Sequence, residues 1–226
     1  GDPYNCDGWL SRPIKKIIPC TEDPYIINVL EENGDYYRSE DGGDSFKSMP
    51  LPKKTVDVVY HRKSIRLALA AAADGIYRSV TGGMSWKRVR LPINGDVCVL
   101  RLYASPYNDN VFYAVTDKGI FKSIDNQGSM VTTALNWELC ESNIPYKEEE
   151  NDKHNADELS ITFNDGKALY CRFCDGRIYH KTEGDSKWKY IKAYFGAFWH
   201  LPVQQSCVSS EDADLIYGII SITHQS

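Results

Sequence analysis

The residues best suited to chemistry in this 226-residue chain are its carboxylates, cysteines and histidines, and their spacing limits what they can do. Asp57, Asp74, Asp96 and Asp175 are read as lying near one face of the fold. A glycosidase needs two carboxylates at a defined separation, and a linear sequence does not set that distance. Cys171-Arg172-Phe173-Cys174 is a lone C-x-x-C on a strand-like run, where alternation turns its two thiols to opposite faces. No second pair and no suitably spaced histidine completes a zinc set. The histidines at 61, 154, 180, 200 and 224 are scattered, with no serine or cysteine partner implied. Gly42-Gly43 and Gly82-Gly83 do not stand at a strand-to-helix junction, so they do not form a phosphate loop. The expectation is a chain with no catalytic set, no metal and no cofactor.

Bulk properties narrow the partners. The formal net charge of -5 repels phosphate backbones and argues against nucleic acid. No run approaches the roughly 18 apolar residues of a membrane span; the longest, 65–73, contains Arg66. Seven cysteines cannot all pair within one chain. Cys20, Cys98, Cys171 and Cys207 sit in apolar runs and read as small buried hydrophobes, while Cys6 and Cys20 flank the first strand, a candidate pair that spacing alone does not establish. No asparagine lies in an N-x-S/T sequon, which argues against a glycosylated ectodomain. The 15 tyrosines and 5 tryptophans suit half-buried strands.

Stepping along the chain, one element recurs four times: Gly34 to Ser39, Gly75 to Ser79, Gly119 to Ser123, and Gly176 to Lys181. Each starts at a turn glycine, continues as a short strand and ends in a polar loop. Those loops run Ser39-Glu40-Asp41-Gly42-Gly43-Asp44-Ser45-Phe46 and Ser79-Val80-Thr81-Gly82-Gly83-Met84-Ser85-Trp86. The third begins Ser123-Ile124-Asp125 and reaches its aromatic only at Trp137; the fourth is compressed into 182–188, ending at Trp188. Two further strand-like runs precede each element. Residues 104–113 align with 208–217, so a fifth repeat starts near the C-terminus. Cys6-Asp7-Gly8-Trp9-Leu10 reads as its outer strand. A repeat of this length, with little helix, predicts an all-β β-propeller of about five four-stranded blades closed by pairing of N- and C-terminal strands. The expected blades are 14–52, 53–92, 93–145, 146–192, and 193–226 completed by 1–13, forming a single domain over 1–226. The alanine-rich run 68–73, helical by composition, is read as a strand near the ring centre.

The polar loops resemble the Asp-box (BNR) motif of sialidases, sortilin-type receptors and photosystem II assembly factors, Ser/Thr-x-Asp-x-Gly-x-Ser/Thr-Trp/Phe. Ser39, Asp41, Gly43 and Phe46 match it at every defined position. Ser79, Gly83 and Trp86 match with Thr81 in place of the aspartate, and Ser123, Asp125, Trp137 and Trp188 mark degenerate copies. The resemblance implies a structural role for these residues: a short side chain accepts bonds from loop amides, glycine permits a positive φ, and the aromatic anchors the loop. It also implies a secreted, lumenal or surface location, whereas the odd cysteine count and the missing sequons argue the other way. The arginine cluster and Tyr–Glu pair of sialidases have no clear counterpart. Arg38 and Arg78 recur at equivalent repeat positions, which points to packing.

In this family's geometry the Asp-box loops share one face, and the connections between blades share the other, where propellers usually carry their sites. Two of those connections depart from the basal repeat. The 146–157 insertion, with Glu148, Glu149, Glu150 and Asp152, reads either as a solvated loop or as a docking loop for a basic partner. Calcium fits poorly because the loop has no glycine. The second, with Tyr194, Phe195, Phe198, Trp199 and His200, either fills the seam between blades or forms an aromatic platform for a sugar ring or peptide side chain. The leading expectation is a non-enzymatic recognition or assembly module that binds a protein partner through one face. The alternative is a carbohydrate-binding or glycoside-cleaving propeller.

Overall fold

The computed structural model describes residues 13–95, 97–105, 108–124, 136–141, 160–164, 168–172, 178–182, 185–191, 203–208 and 216–220. All regular structure among them is β, in five antiparallel sheets that follow one another along the chain. The first sheet is β1 (Ile14–Pro19), β2 (Ile27–Glu31), β3 (Tyr36–Ser39) and β4 (Lys47–Ser48). The second is β5 (Thr55–His61), β6 (Ser64–Ala72), β7 (Gly75–Ser79) and β8 (Lys87–Val89). The third is β9 (Val99–Ala104), β10 (Val111–Thr116), β11 (Gly119–Ile124) and β12 (Asn136–Glu141). The fourth is β13 (Ser160–Asn164), β14 (Ala168–Arg172), β15 (Ile178–Thr182) and β16 (Lys189–Ile191). The fifth has two strands, β17 (Val203–Val208) and β18 (Ile216–Ile220). Each is a meander in which sequence neighbours pair, as short connections require.

The core lies between the sheets. In β6, Leu67, Leu69 and Ala71 pack toward the third sheet with Val99, Phe112 and Trp137, while Ala70 packs toward the first sheet with Leu30 and Tyr36. In β10, Phe112 and Ala114 face the second sheet, whereas Val111, Tyr113 and Val115 lie with Tyr179 and Trp188 of the fourth. Strand alternation therefore sends successive side chains into opposite seams. A second strand covered on both sides is mostly apolar. That is why the alanine-rich run is a strand: its residues Ala68 to Ala72 have no exposure, and the small side chains make room for Tyr36, Phe112 and Trp137. It is the second strand of its sheet. First strands meet across the seams, β1 with β5, β5 with β9, and β13 with β17.

Outer strands are polar. Lys47, Lys87, Arg88 and Lys189 are exposed on β4, β8 and β16, and charge on a terminal strand discourages edge-to-edge pairing.

Two expectations about cysteines fail. Cys98 is exposed and Cys20 only half-buried. Cys98 precedes β9, where its amide bonds Asp117 Oδ1 instead of entering the strand. Cys6, Trp9 and the rest of residues 1–12 lie outside the described residues.

Candidate recognition face

Of the four aspartates singled out, Asp57 and Asp74 are among the described residues, and each is hydrogen-bonded to other groups. Asp57 is 1% exposed and already committed. Its Oδ1 accepts from Lys16 Nζ at 2.6 Å and from its neighbour's amide, Val58 N, at 2.9 Å. Its Oδ2 accepts from the Leu102 amide at 2.9 Å. One side chain thus joins β1, β5 and β9. Asp74 accepts from Tyr77 Oη at 2.7 Å on the surface; Asp96 and Asp175 lie outside the described residues. No group of three or more His, Cys, Asp or Glu side chains there is placed to hold a metal ion. His61 Nδ1 accepts from the Lys63 amide, and its ring lies 6.1 Å from that of Phe112. Cys171 lies in β14; Cys174 is outside the described residues.

The loops joining third to fourth strands are hydrogen-bonded to themselves. Ser39 Oγ accepts from the amides of Asp41 (3.3 Å) and Gly43 (2.7 Å) and donates to Asp41 Oδ1. Asp41 accepts from the amide and hydroxyl of Ser45. These bonds from Ser45, then Ser39, hold the Asp41 carboxyl well below the usual range. In the second loop Ser79 Oγ accepts from the amides of Thr81 (3.2 Å) and Gly83 (2.8 Å), and Thr81 Oγ1 accepts from the Ser85 amide at 2.9 Å. Threonine thus does the work of the aspartate. At Gly83, φ +91, a Cβ would stand 2.8 Å from Tyr60 Oη, so a side chain there would be strained and would displace that hydroxyl. The fourth loop differs. Asp185 Oδ2 accepts from the Thr182 amide and hydroxyl, and Asp185 Oδ1 from Lys189 Nζ. Its carboxyl is held low by Lys189, then Thr182. Sequence matching passed over Asp185 because the loop is shortened. In the third loop Ser123 is buried with no hydrogen-bond partner for its hydroxyl among the described residues; Asp125 lies outside them.

The loop aromatics clamp seams. Trp86 packs on the cluster shared by the first and second sheets and donates Nε1 to Pro50 O at 2.9 Å. Trp137 is 6% exposed in the cluster of the second and third sheets. Trp188 packs on the third. Phe46 is half-buried. Arg38 adds a polar staple. Its Nε donates to Asn28 Oδ1, and its Nη2 donates to Tyr60 Oη (2.9 Å) and, in the next loop, to Gly82 O (2.6 Å). Burial first, then Tyr60, pushes the Tyr36 hydroxyl up. Arg78 is likewise buried, at 4% exposure. On this same face, Thr21 Oγ1 bonds Arg62 O, and Lys63 reaches Asp109 at 2.6 Å.

The opposite face carries a cleft of about 430 Å³ where β8 leaves for β9. It is lined by Asp74, Gly75, Ile76, Arg88, Val89, Arg90, Leu91, Ile93, Gly95 and Val97. Ile76, Val89 and Val97 are core residues forming its floor; Leu91 and Ile93 are half-buried. Arg88 and Arg90 are exposed. Arg88 Nη2 donates to Asp74 O, holding the guanidinium over Gly75, where a Cβ would meet Arg88 Nε at 3.3 Å. Sequence reasoning missed this site; its signal was Arg88 and Arg90 flanking Val89 just before a connection containing Gly95. Glu31 was also missed: it is 1% exposed, and neither carboxylate oxygen has a hydrogen-bond partner among the described residues. Glu148, Glu149, Glu150, Asp152, Tyr194, Phe195, Phe198, Trp199 and His200 lie outside the described residues.

No family model matches the chain, and no curated protein matches it in sequence. Solved structures do match in shape. The chain is similar to the GH74 xyloglucanase from Xanthomonas campestris, with 12% identity and a TM-score of 0.59, covering 93% of this chain and 35% of that one. It is similar to a GH74 enzyme of Niastella koreensis at 13% identity and a TM-score of 0.56, covering 90% of this chain and 33% of that one. It is also similar to the Cps50 (Swd1) β-propeller domain of Myceliophteria thermophila at 12% identity and a TM-score of 0.55, covering 89% of this chain and 60% of that one. The chain thus spans between a third and three-fifths of these structures. Consecutive four-stranded meanders packed face to face, together with these likenesses, give the chain the fold of a β-propeller.

Proposed function

We propose that the chain is a non-enzymatic recognition or assembly module that binds a protein partner through the face of its inter-sheet connections. The observation that carries this is the contrast between the two faces. On one, the loop side chains are spent on their own amides and on staples to the next sheet. On the other, exposed Arg88 and Arg90 stand beside an apolar cleft, the combination of a fixed polar group and an apolar floor that suits a binding site. In this reading the hydrogen-bonded loops are Asp-box motifs with a structural role. The five sheets are blades of a single domain over 1–226, bounded as the repeat predicts, with 1–13 completing the fifth. The acidic residues Glu148, Glu149, Glu150 and Asp152 then extend the docking face toward a basic patch of the partner.

The GH74 likenesses favour a second reading, a carbohydrate-binding or glycoside-cleaving propeller, with Tyr194, Phe195, Phe198, Trp199 and His200 as a stacking platform. Against cleavage stands Asp57, a buried carboxylate with Lys16 and two amides already upon it.

Cross-linking of the protein to its bound partner in an extract of its native source, beside a glycan array and a panel of glycoside substrates including xyloglucan, tests this. Cross-links concentrated at 32–35, 49–54, 73–75 and 90–98 are expected. Cross-links confined to 20–25 and 40–46, or turnover of any glycoside, would overturn the reading.

A further inference from the structure

We propose that the cleft at the outer corner of the second sheet binds an extended acidic peptide segment that also carries an apolar side chain. This deepens the recognition reading above and rests on it.

Charge complementarity is the first argument. Lys87, Arg88 and Arg90 are three exposed cations within four residues, on a protein of net charge -5. A local basic site on an acidic protein selects for anionic partners while the rest of the surface repels them. The geometry of Arg88 is the second argument. One Nη2 proton is committed to Asp74 O, and guanidinium has five donors in a planar fork. The tether fixes the plane and leaves donors for a carboxylate, so little side-chain entropy is lost on binding. Among the described residues Asp74 forms no ion pair with that fork: Arg88 bonds its backbone oxygen, and its carboxylate accepts from Tyr77 Oη at 2.7 Å.

The floor decides against a bare anion. Ile76, Val89 and Val97 close the base of the cleft, with Leu91 and Ile93 half-buried above them. A phosphate or sulfate ion has nothing to place there, whereas a leucine-sized side chain does. The terminal position of β8 in its sheet decides for an extended backbone. Among the described residues it pairs only with β7, so a peptide can add along its free edge and send alternate side chains to the arginines and to the floor.

The test is fluorescence anisotropy with two labelled heptapeptides, one alternating leucine and glutamate and one alternating leucine and glutamine. The leucine–glutamate peptide is expected to bind the wild-type protein roughly tenfold more tightly than its glutamine counterpart, the size expected of two partly exposed ion pairs. Arg88→Gln/Arg90→Gln should remove that preference, and Arg90→Gln alone, which keeps the Arg88 tether, should remove about half of it on a logarithmic scale. Lys47→Gln/Lys189→Gln, an equal change of charge on other sheet edges, should leave it intact. Equal binding of both peptides, no binding at roughly millimolar leucine–glutamate peptide, or equal loss in the lysine variant each overturns the proposal. A native partner that cross-links to this face yet binds the double arginine variant unchanged overturns it while leaving the recognition reading in place.

Discussion

Replacing Asp57 by alanine should be among the most damaging single changes in this protein. The carboxylate is 1% exposed and serves three donors on three strands: Lys16 Nζ at 2.6 Å, Val58 N at 2.9 Å and Leu102 N at 2.9 Å. Val58 and Leu102 are 0% and 1% exposed, so water cannot replace the lost acceptor. Each orphaned buried amide costs about 1–3 kcal/mol. Lys16 is different: its side chain is 36% exposed, and solvent screening holds its ion pair to roughly 1 kcal/mol or less. The sum is about 2–7 kcal/mol. For a chain of 226 residues, at roughly 2–4 °C per kcal/mol, the melting temperature should fall by about 10 °C. Urea unfolding gives the free energy directly, provided the slope stays constant. Asp57→Asn keeps an acceptor oxygen and should lose about half as much. Lys16→Met should stay within about 1 kcal/mol of wild type. Hydrogen exchange at the Leu102 amide should accelerate first. A loss below about 1 kcal/mol in Asp57→Ala, or an equal loss in Lys16→Met, would refute the reasoning.

Four other outcomes are expected. Asp41→Ala should lower the melting temperature without touching partner binding. Because the Asp41 carboxyl is held low in the folded state, its contribution is complete above about pH 5 and is lost as the pH falls through roughly 4 toward the folded-state value; a gap as wide at pH 2 as at pH 7 contradicts this. Glu31→Met should stabilise by about 1–3 kcal/mol, since a buried carboxylate without partners among the described residues is replaced by an apolar side chain of similar volume; chemical denaturation at fixed pH measures it. Deleting residues 1–12 should cost several kcal/mol if they complete the fifth sheet, and an unchanged melting temperature sinks that closure. Trp199→Ala should cost about 3–5 kcal/mol of stability if the 194–200 segment fills a seam, the expected result; intact stability with about 2 kcal/mol lost in ligand binding means it is a platform instead.

The architecture was legible because the repeat puts its signals in fixed places. A turn glycine opens each third strand, a hydroxyl closes it, and an aromatic follows after the loop, so four copies could be aligned without knowing what they touch. What each residue touches was less legible. Thr81 looked like a departure, yet its hydroxyl bonds the Ser85 amide at 2.9 Å, the same distance at which Asp41 bonds the Ser45 amide. The repeat is built around an acceptor at that point, and sequence identity overstates the difference. Asp57 looked like a free acid because a carboxylate carries no mark of its surroundings. A signal did exist: in the strand registers Lys16 pairs with Leu30, Asp57 with Ala71 and Arg101 with Val115, and those partners occupy one repeat position. Opposite charges at one position on successive first strands announce a staple. The cleft left a fainter trace, because it is made where an outer strand leaves its sheet, and the repeat does not constrain that segment.

The same registers explain why the proposed ring needs a sheet in front of β1. Ile17, Val58 and Leu102 are equivalent positions on three successive first strands, paired with Val29, Ala70 and Ala114. Val58 and Leu102 are 0% and 1% exposed, because the preceding sheet covers them; Ile17 is 58% exposed. Ile14 repeats the pattern at 44%, against 7% for Thr55 and 1% for Val99. The clamps run the same way: Trp86, Trp137 and Trp188 each rest on the sheet before their own, and Phe46, in the equivalent position of the first sheet, has no such sheet among the described residues. An isoleucine contributes about 1.5–3 kcal/mol when fully buried, so Ile14 and Ile17 together leave roughly 2–3 kcal/mol unrealised. A sheet seated on β1, with Phe46 closing over it, recovers that energy by the contacts that already hold the second sheet to the first. In the proposed ring that sheet is the fifth, which has two strands among the described residues.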